Sequence, residues 1–153
     1  MRRRAEISLA SELDAGVAET WARVIDPDGI NDELRPLMRM TIPRGAADFG
    51  LDHPEPGKIG RSWLLLFGFL PFDYDDLNVV RLEPERGFLE RSTMLSMRLW
   101  EHERTLDPLG EGRCQVTDRV AWEPRLPLPA PLLRPLVLVI FRHRHRRLQR
   151  AFE

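Results

Sequence analysis

Cysteine is almost absent from this chain of 153 residues, since Cys114 is the only one. One cysteine cannot form an intramolecular disulfide, which excludes a disulfide-stabilised scaffold, and we expect a reduced, cytoplasmic setting. Long apolar runs are also missing. The longest, Leu136 to Phe141, is far shorter than the roughly 20 residues that span a bilayer. No signal-peptide core follows the basic start Met1 to Arg4, so we expect no stable membrane insertion.

Lysine is scarce as well, because Lys58 is the only one among 23 basic residues. The formal net charge is −1, and this near-neutral balance argues against a dedicated nucleic-acid binder. The composition, 42% hydrophobic and 31% charged, is typical of a globular protein. The length fits one domain with a sizeable core, and we expect residues 1–153 to form a single domain.

Hydrophobic periodicity predicts an α+β fold. Asp14 is a candidate cap for the first helix, and Asp26-Pro27-Asp28-Gly29 is expected to end it by turn chemistry. Residues 43–58 read as an irregular loop, of the kind that often forms a lid or rim. A strongly curved antiparallel sheet around the last helix would bury that helix and leave a cavity between the two. The predicted helices are 14–25, 30–36 and 131–152, and the predicted strands are 5–13, 37–43, 59–70, 74–83, 87–96, 98–107 and 113–123.

Asp118 interrupts the apolar face of the strand 113–123, whose even positions are otherwise Cys114, Val116, Val120 and Trp122. Side chains of a strand alternate between its faces, so the even face is expected to be buried. A buried carboxylate needs a partner or a wet cavity. A hairpin centred at Gly110 would place His102 opposite Asp118, Trp100 opposite Val120 and Leu106 opposite Cys114.

Arg144 lies near the centre of the apolar stripe of the last helix, and His145 lies at its edge. An inward arginine favours a carboxylate partner in fork geometry, and Asp118 is the best candidate. The stripe itself comprises Leu133, Val137, Ile140, Phe141, Leu148, Ala151 and Phe152.

Three interpretations of the group His102, Asp118 and Arg144 stay open. It ties the last helix to the sheet, it forms the polar end of a ligand cavity, or it supplies acid–base groups for catalysis. No nucleophile motif accompanies it, so no catalytic residue is assigned. No metal site is expected either, because His143 and His145 are two apart on a helix and point in different directions.

Two further stretches have patterns that predict their place in the fold. Trp63, Phe67 and Phe69 share one face of a strand and are expected to be core or cavity wall. Asp73-Tyr74-Asp75-Asp76 is expected to be a solvated hairpin turn.

The chain resembles the SRPBCC superfamily, the START-like or helix-grip proteins that include polyketide cyclases and lipid carriers. The resembling stretches are Trp100 to Glu103, Thr117 to Trp122 and Phe141 to Leu148. The chain departs from the pattern at Arg104, where the branch often has a second histidine, and at Trp122, where it often has a tyrosine. The resemblance implies a seven-stranded antiparallel sheet wrapped around the C-terminal helix, with a largely apolar cavity. It carries His102, Asp118, Arg144 and His145 as the distinctive polar positions.

These observations together predict a protein that binds a small, mostly hydrophobic molecule, with no cofactor. A polyketide cyclase or aromatase is the first alternative, and a protein-interaction module with a vestigial cavity is the second. Homodimerisation is left open. The residues assigned to ligand binding are His102, Asp118, Arg144, His145, Trp100, Trp122, Trp63, Phe67 and Phe141.

Overall fold

A computed structural model describes residues 4–42 and 57–153. In these ranges seven strands form one antiparallel sheet in the order β1-β7-β6-β5-β4-β3-β2. The strands are β1 (Ala5–Leu13), β2 (Met38–Met40), β3 (Gly57–Leu66), β4 (Leu70–Glu83), β5 (Gly87–Met94), β6 (Met97–Pro108) and β7 (Cys114–Pro124). The helices are α1 (Val17–Val24), α2 (Pro27–Leu34) and α3 (Arg134–Ala151), and a 3₁₀ turn (Ala130–Leu133) leads into α3.

The sheet curves around α3, which packs against β1 and α2. Register shifts interrupt the pairing of β3 with β4, β4 with β5 and β6 with β7, and such bulges bend a sheet. The bulge in β6 falls between Met97 and Leu99, where the alternation of the sequence blurs. The predicted α+β helix-grip fold is confirmed.

The β6–β7 hairpin pairs two residues away from the predicted register. Arg104, rather than His102, faces Asp118, while Val120 faces His102 and Trp100 faces Trp122. The reason is the position of the turn. The amide of Leu109 donates to the carbonyl of Arg113, so the hairpin is centred at Glu111 and not at Gly110. A shift of two residues keeps every side chain on its predicted face, so His102 still points inward.

The prediction for the junction of α1 and α2 is confirmed for the end of α1 but wrong for the cap of α1 and for the start of α2. Gly16, not Asp14, is the N-cap of α1, and glycine has no side chain that could cap the helix. Asp26-Pro27 begins α2 instead of only ending α1: Asp26 is the N-cap, accepting from the amide of Asp28 at 3.1 Å, and Pro27 is the first helical residue. An Asp-Pro pair is a good helix start as well as a stop.

Buried apolar residues form two clusters on either side of a polar layer. One lies around Trp122 and Phe141, and the other around Trp21 and Cys114. On β7, Val120 belongs to the first cluster and Val116 to the second, and Asp118 lies between them. The even face of β7 is fully buried, as predicted.

The predicted loop 43–58 lies outside the described residues except for Gly57 and Lys58, which begin β3. No helix in the described ranges has both the length and the apolar character needed to cross a membrane.

Candidate functional site

A cavity of about 500 Å³ lies between the concave face of the sheet and α3. This volume falls within the usual range for small-molecule pockets. Strands β2 to β6, the segment 124–128, α3 and the α1–α2 junction contribute to its wall. Apolar side chains dominate the wall, among them Leu77, Val79, Phe88, Trp100, Ile140 and Phe141.

Among the described residues, five titratable side chains reach the cavity wall, and they lie on four elements. They are Asp73 and Asp75 on β4, Glu90 on β5, His102 on β6 and Arg144 on α3. Glu90 and His102 are direct partners across β5 and β6, so part of this polar strip is continuous. The cavity is therefore apolar with a few placed polar groups, which is the usual make-up of a ligand pocket.

Asp118 lies behind His102 and is fully buried. Its Oδ1 accepts hydrogen bonds from His102 Nε2 at 2.7 Å and from Arg104 Nε at 2.8 Å. Its Oδ2 accepts from Arg104 Nη2 at 2.8 Å and from His145 Nε2 at 2.7 Å. Because an ionised carboxylate only accepts, each imidazole donates from Nε2. Each carboxylate oxygen therefore accepts two hydrogen bonds, and both oxygens are fully satisfied.

Arg104 joins Asp118 to a second buried carboxylate, Glu33 on α2. Arg104 Nη1 donates to Glu33 Oε2 at 3.0 Å, and Nη2 donates to Oε1 at 2.9 Å. Arg144 adds a third bond, from Nε to Glu33 Oε1 at 3.2 Å. The group Glu33, His102, Arg104, Asp118, Arg144 and His145 is called the Arg104 cluster here. Two guanidiniums balance two carboxylates within it, which allows these charges to be buried.

The charged groups of the Arg104 cluster strongly shift one another's pKa values. Burial alone would raise the pKa of Asp118, but Arg104 and His102 hold it well below its ordinary value. Burial likewise opposes ionisation of Glu33, yet Arg104 and Arg144 lower its pKa. Burial would lower the pKa of Arg104, and the two carboxylates instead raise it well above its usual range. All three groups are therefore charged at neutral pH.

His102 connects the Arg104 cluster to the cavity. Its ring lies edge-on between Phe88 and Phe141, with centroid distances of 5.3 and 5.1 Å. Asp118 fixes one ring nitrogen, whereas Nδ1 has no hydrogen-bond partner in the described part of the chain. A histidine held by a buried carboxylate, with its second nitrogen uncommitted, has the arrangement of an oriented general base.

Arg144 also has unused capacity. Its side chain is 12% exposed, and its guanidinium lies 5.0 Å from the centroid of the Phe141 ring. Only Nε is bound to Glu33, and the two terminal nitrogens have no partner among residues 4–42 and 57–153. Since Arg144 lines the cavity, these nitrogens can donate to an oxygen of a bound molecule.

The carboxyl groups on β4 and β5 differ in how many hydrogen bonds they accept. Asp73 accepts from the amides of Tyr74 and Ser96, at 2.8 and 3.2 Å, and from the Ser96 hydroxyl. Asp75 Oδ1 is buried and accepts no hydrogen bond from a described residue. Burial, and then the charge of Glu90, raise the pKa of Asp75 well above its ordinary value. Asp75 and Glu90 are within hydrogen-bonding reach and are called the Asp75–Glu90 pair here.

The residues assigned to ligand binding from sequence divide into three groups. His102, Arg144, Trp100 and Phe141 lie in the cavity wall. Asp118, His145 and Trp122 are buried outside that wall: His145 Nδ1 bonds Ser11 Oγ at 2.7 Å, and Trp122 Nε1 donates to the Ala130 carbonyl at 2.9 Å. Trp63 and Phe67 lie outside the cavity.

The expectation that Trp63, Phe67 and Phe69 are core or cavity wall is wrong. Trp63 is 43% exposed and packs edge-on against Tyr74, with ring centroids 5.5 Å apart. Phe67 and Phe69 belong to the turn between β3 and β4 and are 64% and 74% exposed. The alternation of strand side chains does not extend to Phe67 and Phe69, because β3 ends at Leu66.

The predicted pairing of Arg144 with Asp118 is also wrong. Arg144 bonds Glu33, and the position beside Asp118 is taken by Arg104, which lies directly opposite it on β6. Both residues were identifiable: Arg104 shares the inward parity of His102, and Glu33 falls on the apolar face of α2 with Ile30 and Leu34.

Asp75 and Glu90 carried a weaker signal. The stretch Asp73 to Asp76 is not a solvated turn but part of the first half of β4, where Asp73 and Asp75 are buried. Acidic runs favour turns by composition, and here the long hairpin overrides that preference. In the described ranges, no group of three or more histidine, cysteine, aspartate or glutamate side chains could hold a metal ion.

Comparison with solved structures places the fold among START-like proteins. A START superfamily protein from Mycobacterium smegmatis is 15% identical and aligns over 96% of each chain with a TM-score of 0.73. A protein from Chromobacterium violaceum is 15% identical, with 97% of this chain and 96% of that chain covered and a TM-score of 0.72. The ZhuI aromatase/cyclase from Streptomyces sp. R1128 is 14% identical, with 97% and 93% covered and a TM-score of 0.69.

These likenesses confirm the START-like, helix-grip fold. A search of the curated proteins finds no match. A family model described as Domain of unknown function (DUF8410) matches residues 11–152, and the chain belongs to that family.

Proposed function

We propose that this chain, acting as one domain in the cytoplasm, binds a small, mostly apolar molecule in the cavity between sheet and α3. The observation that carries the proposal is the cavity itself, which measures about 500 Å³ and is lined mainly by apolar side chains, with polar groups at a few positions. Protein interiors are close-packed, so side chains would fill a cavity of this size if it had no ligand to bind. That contrast favours ligand binding over an interaction module with a vestigial cavity.

His102 and Arg144 supply the polar anchor in this proposal. His102 Nδ1 and the terminal nitrogens of Arg144 are uncommitted, and both side chains line the cavity. Asp118 and Glu33 hold these two side chains from behind, so little side-chain entropy is lost when a ligand binds. An oxygen-bearing group of the ligand is the complement to this anchor.

The test is calorimetric titration with 1-naphthalenemethanol, a neutral molecule small enough for the cavity. Saturable binding with one site per chain is expected. Ile140→Trp fills the cavity from α3 and should weaken binding by roughly tenfold or more. Val139→Trp is the matched control, because Val139 is the preceding residue, is 56% exposed and lies outside the wall. Equal binding to both variants, or no saturable binding to the parent chain, would overturn the proposal.

One observation favours a second function, acid–base catalysis on the bound molecule. The Asp118–His102 bond of 2.7 Å orients an imidazole whose other nitrogen is uncommitted beside a cavity. Ring closure of a polyketide chain, which needs proton removal beside a carbonyl, is a reaction that such a group could assist. Incubation with a poly-β-keto thioester should then give a product lighter by one water in mass spectrometry. His102→Gln should abolish that product, whereas Val139→Trp, which lies outside the wall, should still form it.

A further inference from the structure

A second polar region of the cavity lies away from Asp118, on β4 and β5. Its members are Asp75, which is 4% exposed, and Glu90, which is 7% exposed, and both line the cavity. Among the described side chains, only the Ser92 hydroxyl donates to Glu90, at 3.0 Å, and Asp75 Oδ1 accepts nothing from the described residues. Neither carboxyl forms an ion pair with an arginine or lysine in the described part of the chain.

From this geometry we infer that the Asp75–Glu90 pair is a binding site for a cationic amine carried by the apolar ligand. The inference rests on the proposed function and adds the chemical class of the ligand. Two adjacent buried carboxyls cannot both ionise without strong repulsion. One proton on the pair relieves the repulsion but leaves one negative charge in an apolar wall, with no counter-cation among the described residues. An ammonium group supplies that cation.

The contrast with neighbouring acids supports this assignment. Glu33 and Asp118 are equally buried, yet each has guanidinium partners. Asp73 has three donors from Tyr74 and Ser96. Only the Asp75–Glu90 pair, among the described buried acids, combines a place in the cavity wall with an oxygen that no donor satisfies. Buried polar atoms without partners are rare, and each calls for an explanation such as a functional role or a bound ion.

Binding of an ammonium group should displace the proton that the pair holds. Burial and the charge of Glu90 raise the pKa of Asp75, so the empty pair takes up a proton that a bound cation then competes with. The other titratable groups of the described wall are Asp73 on β4, His102 on β6 and Arg144 on α3. Affinity for an amine should therefore rise with pH, whereas affinity for an uncharged analogue should not follow the same curve.

The experiment compares 1-naphthylmethylamine with 1-naphthalenemethanol, which share the same apolar skeleton. Calorimetry at several pH values, in buffers of different ionisation enthalpy, measures both affinity and proton release. We expect the amine to bind at least about tenfold more tightly than the alcohol at neutral pH, with proton release at those pH values where the empty pair still holds a proton. The alcohol should release none.

Three isosteric variants test whether the Asp75–Glu90 pair is responsible. Asp75→Asn and Glu90→Gln, singly and together, should remove the preference for the amine and the proton release, while retained alcohol binding shows that each variant is folded. Asp76→Asn is the matched control, because Asp76 is the next residue and points outward to Arg61, whose Nε lies 2.9 Å from Asp76 Oδ1. It should keep the preference.

Each outcome separates the inference from the proposed function. Binding of alcohol and amine with equal affinity, or a preference that survives the double substitution, overturns the amine site and leaves the cavity function intact. Failure of both probes to bind overturns the proposed function and the amine site together.

Discussion

Arg104 and Asp118 face each other directly across β6 and β7, and the guanidinium donates to both carboxylate oxygens at 2.8 Å. Both side chains are buried, at 1% and 0% exposure. The same guanidinium reaches Glu33 on α2, so one arginine links the sheet to the helical layer. The polar side of the cavity is therefore held from behind by a charge network of fixed geometry.

The first prediction is that Arg104 and Asp118 are energetically coupled. Arg104→Met or Asp118→Leu alone leaves a buried charge without its partner, which typically costs about 3–5 kcal/mol. The double variant should cost clearly less than the two single losses added together. Denaturant unfolding measures all three, and Arg146→Ala on the exposed face of α3 should cost no more than about 0.5 kcal/mol. Small and additive single effects would contradict the coupling.

The second prediction concerns the close contact that positions α2. A Cβ atom on Gly29 would lie 2.1 Å from the carbonyl oxygen of Arg23, so Gly29→Ala forces the two helices apart. We expect a loss of about 1–3 kcal/mol in the free energy of unfolding, as for other overpacked sites. Gly16→Ala is the control, because nothing lies within 4 Å of its added Cβ. A gain in stability for Gly29→Ala, which helix propensity alone would give inside a helix, would contradict the prediction.

The third prediction is that Cys114 reacts slowly with a thiol reagent under native conditions. Its side chain is fully buried, and its sulfur lies 3.4 Å from Thr20 Oγ1. A reagent can reach it only after the β1–β7 region opens, so labelling should follow the unfolding equilibrium and accelerate with denaturant. Rapid labelling without denaturant would contradict the inward placement of the even face of β7.

Much of the fold followed from patterns within single elements. The alternation along β7 identified its buried face, and helical spacing identified the inward stripe of α3 with Arg144 on it. Both patterns depend only on residues within one element, so they hold even where the predicted pairing between elements is wrong. The predicted β6–β7 register depended instead on the position of the turn near Gly110. The observed register differs by two residues, so Arg104 and not His102 faces Asp118.

The candidate site was only half predictable for a related reason. Asp118 was found because it interrupts the apolar face of one strand, and His102 was found because a hairpin near Gly110 brings it to that same face. The partners of Arg144 and Asp118 come from α2 and β6, 111 residues and 14 residues away along the chain. No local pattern connects such positions. Asp75 was missed because an acidic run reads as solvated unless the strand that buries it is recognised.

The fourth prediction is that Asp75 and its neighbour Asp76 affect stability with opposite pH dependence. The pKa of Asp75 is raised above its ordinary value of 3.8, by burial and by Glu90, so its contribution is complete below pH 3.8 and is lost as pH rises through the folded-state pKa. Asp75→Asn escapes this loss, and its stability relative to the parent chain should increase from acid to neutral pH. The hydrogen bond from Arg61 lowers the pKa of Asp76, so that contribution is present above pH 3.8 and is lost as pH falls.

Asp76→Asn should therefore destabilise the chain at neutral pH by a small amount, since the Arg61–Asp76 pair is exposed, and the difference should vanish in acid. Urea unfolding of the parent chain and both variants at several pH values between about 3 and 8 measures the two slopes. If Asp75→Asn and Asp76→Asn follow parallel curves, Asp75 is ionised like an ordinary surface carboxylate. The Asp75–Glu90 pair would then hold no proton for a bound cation to displace.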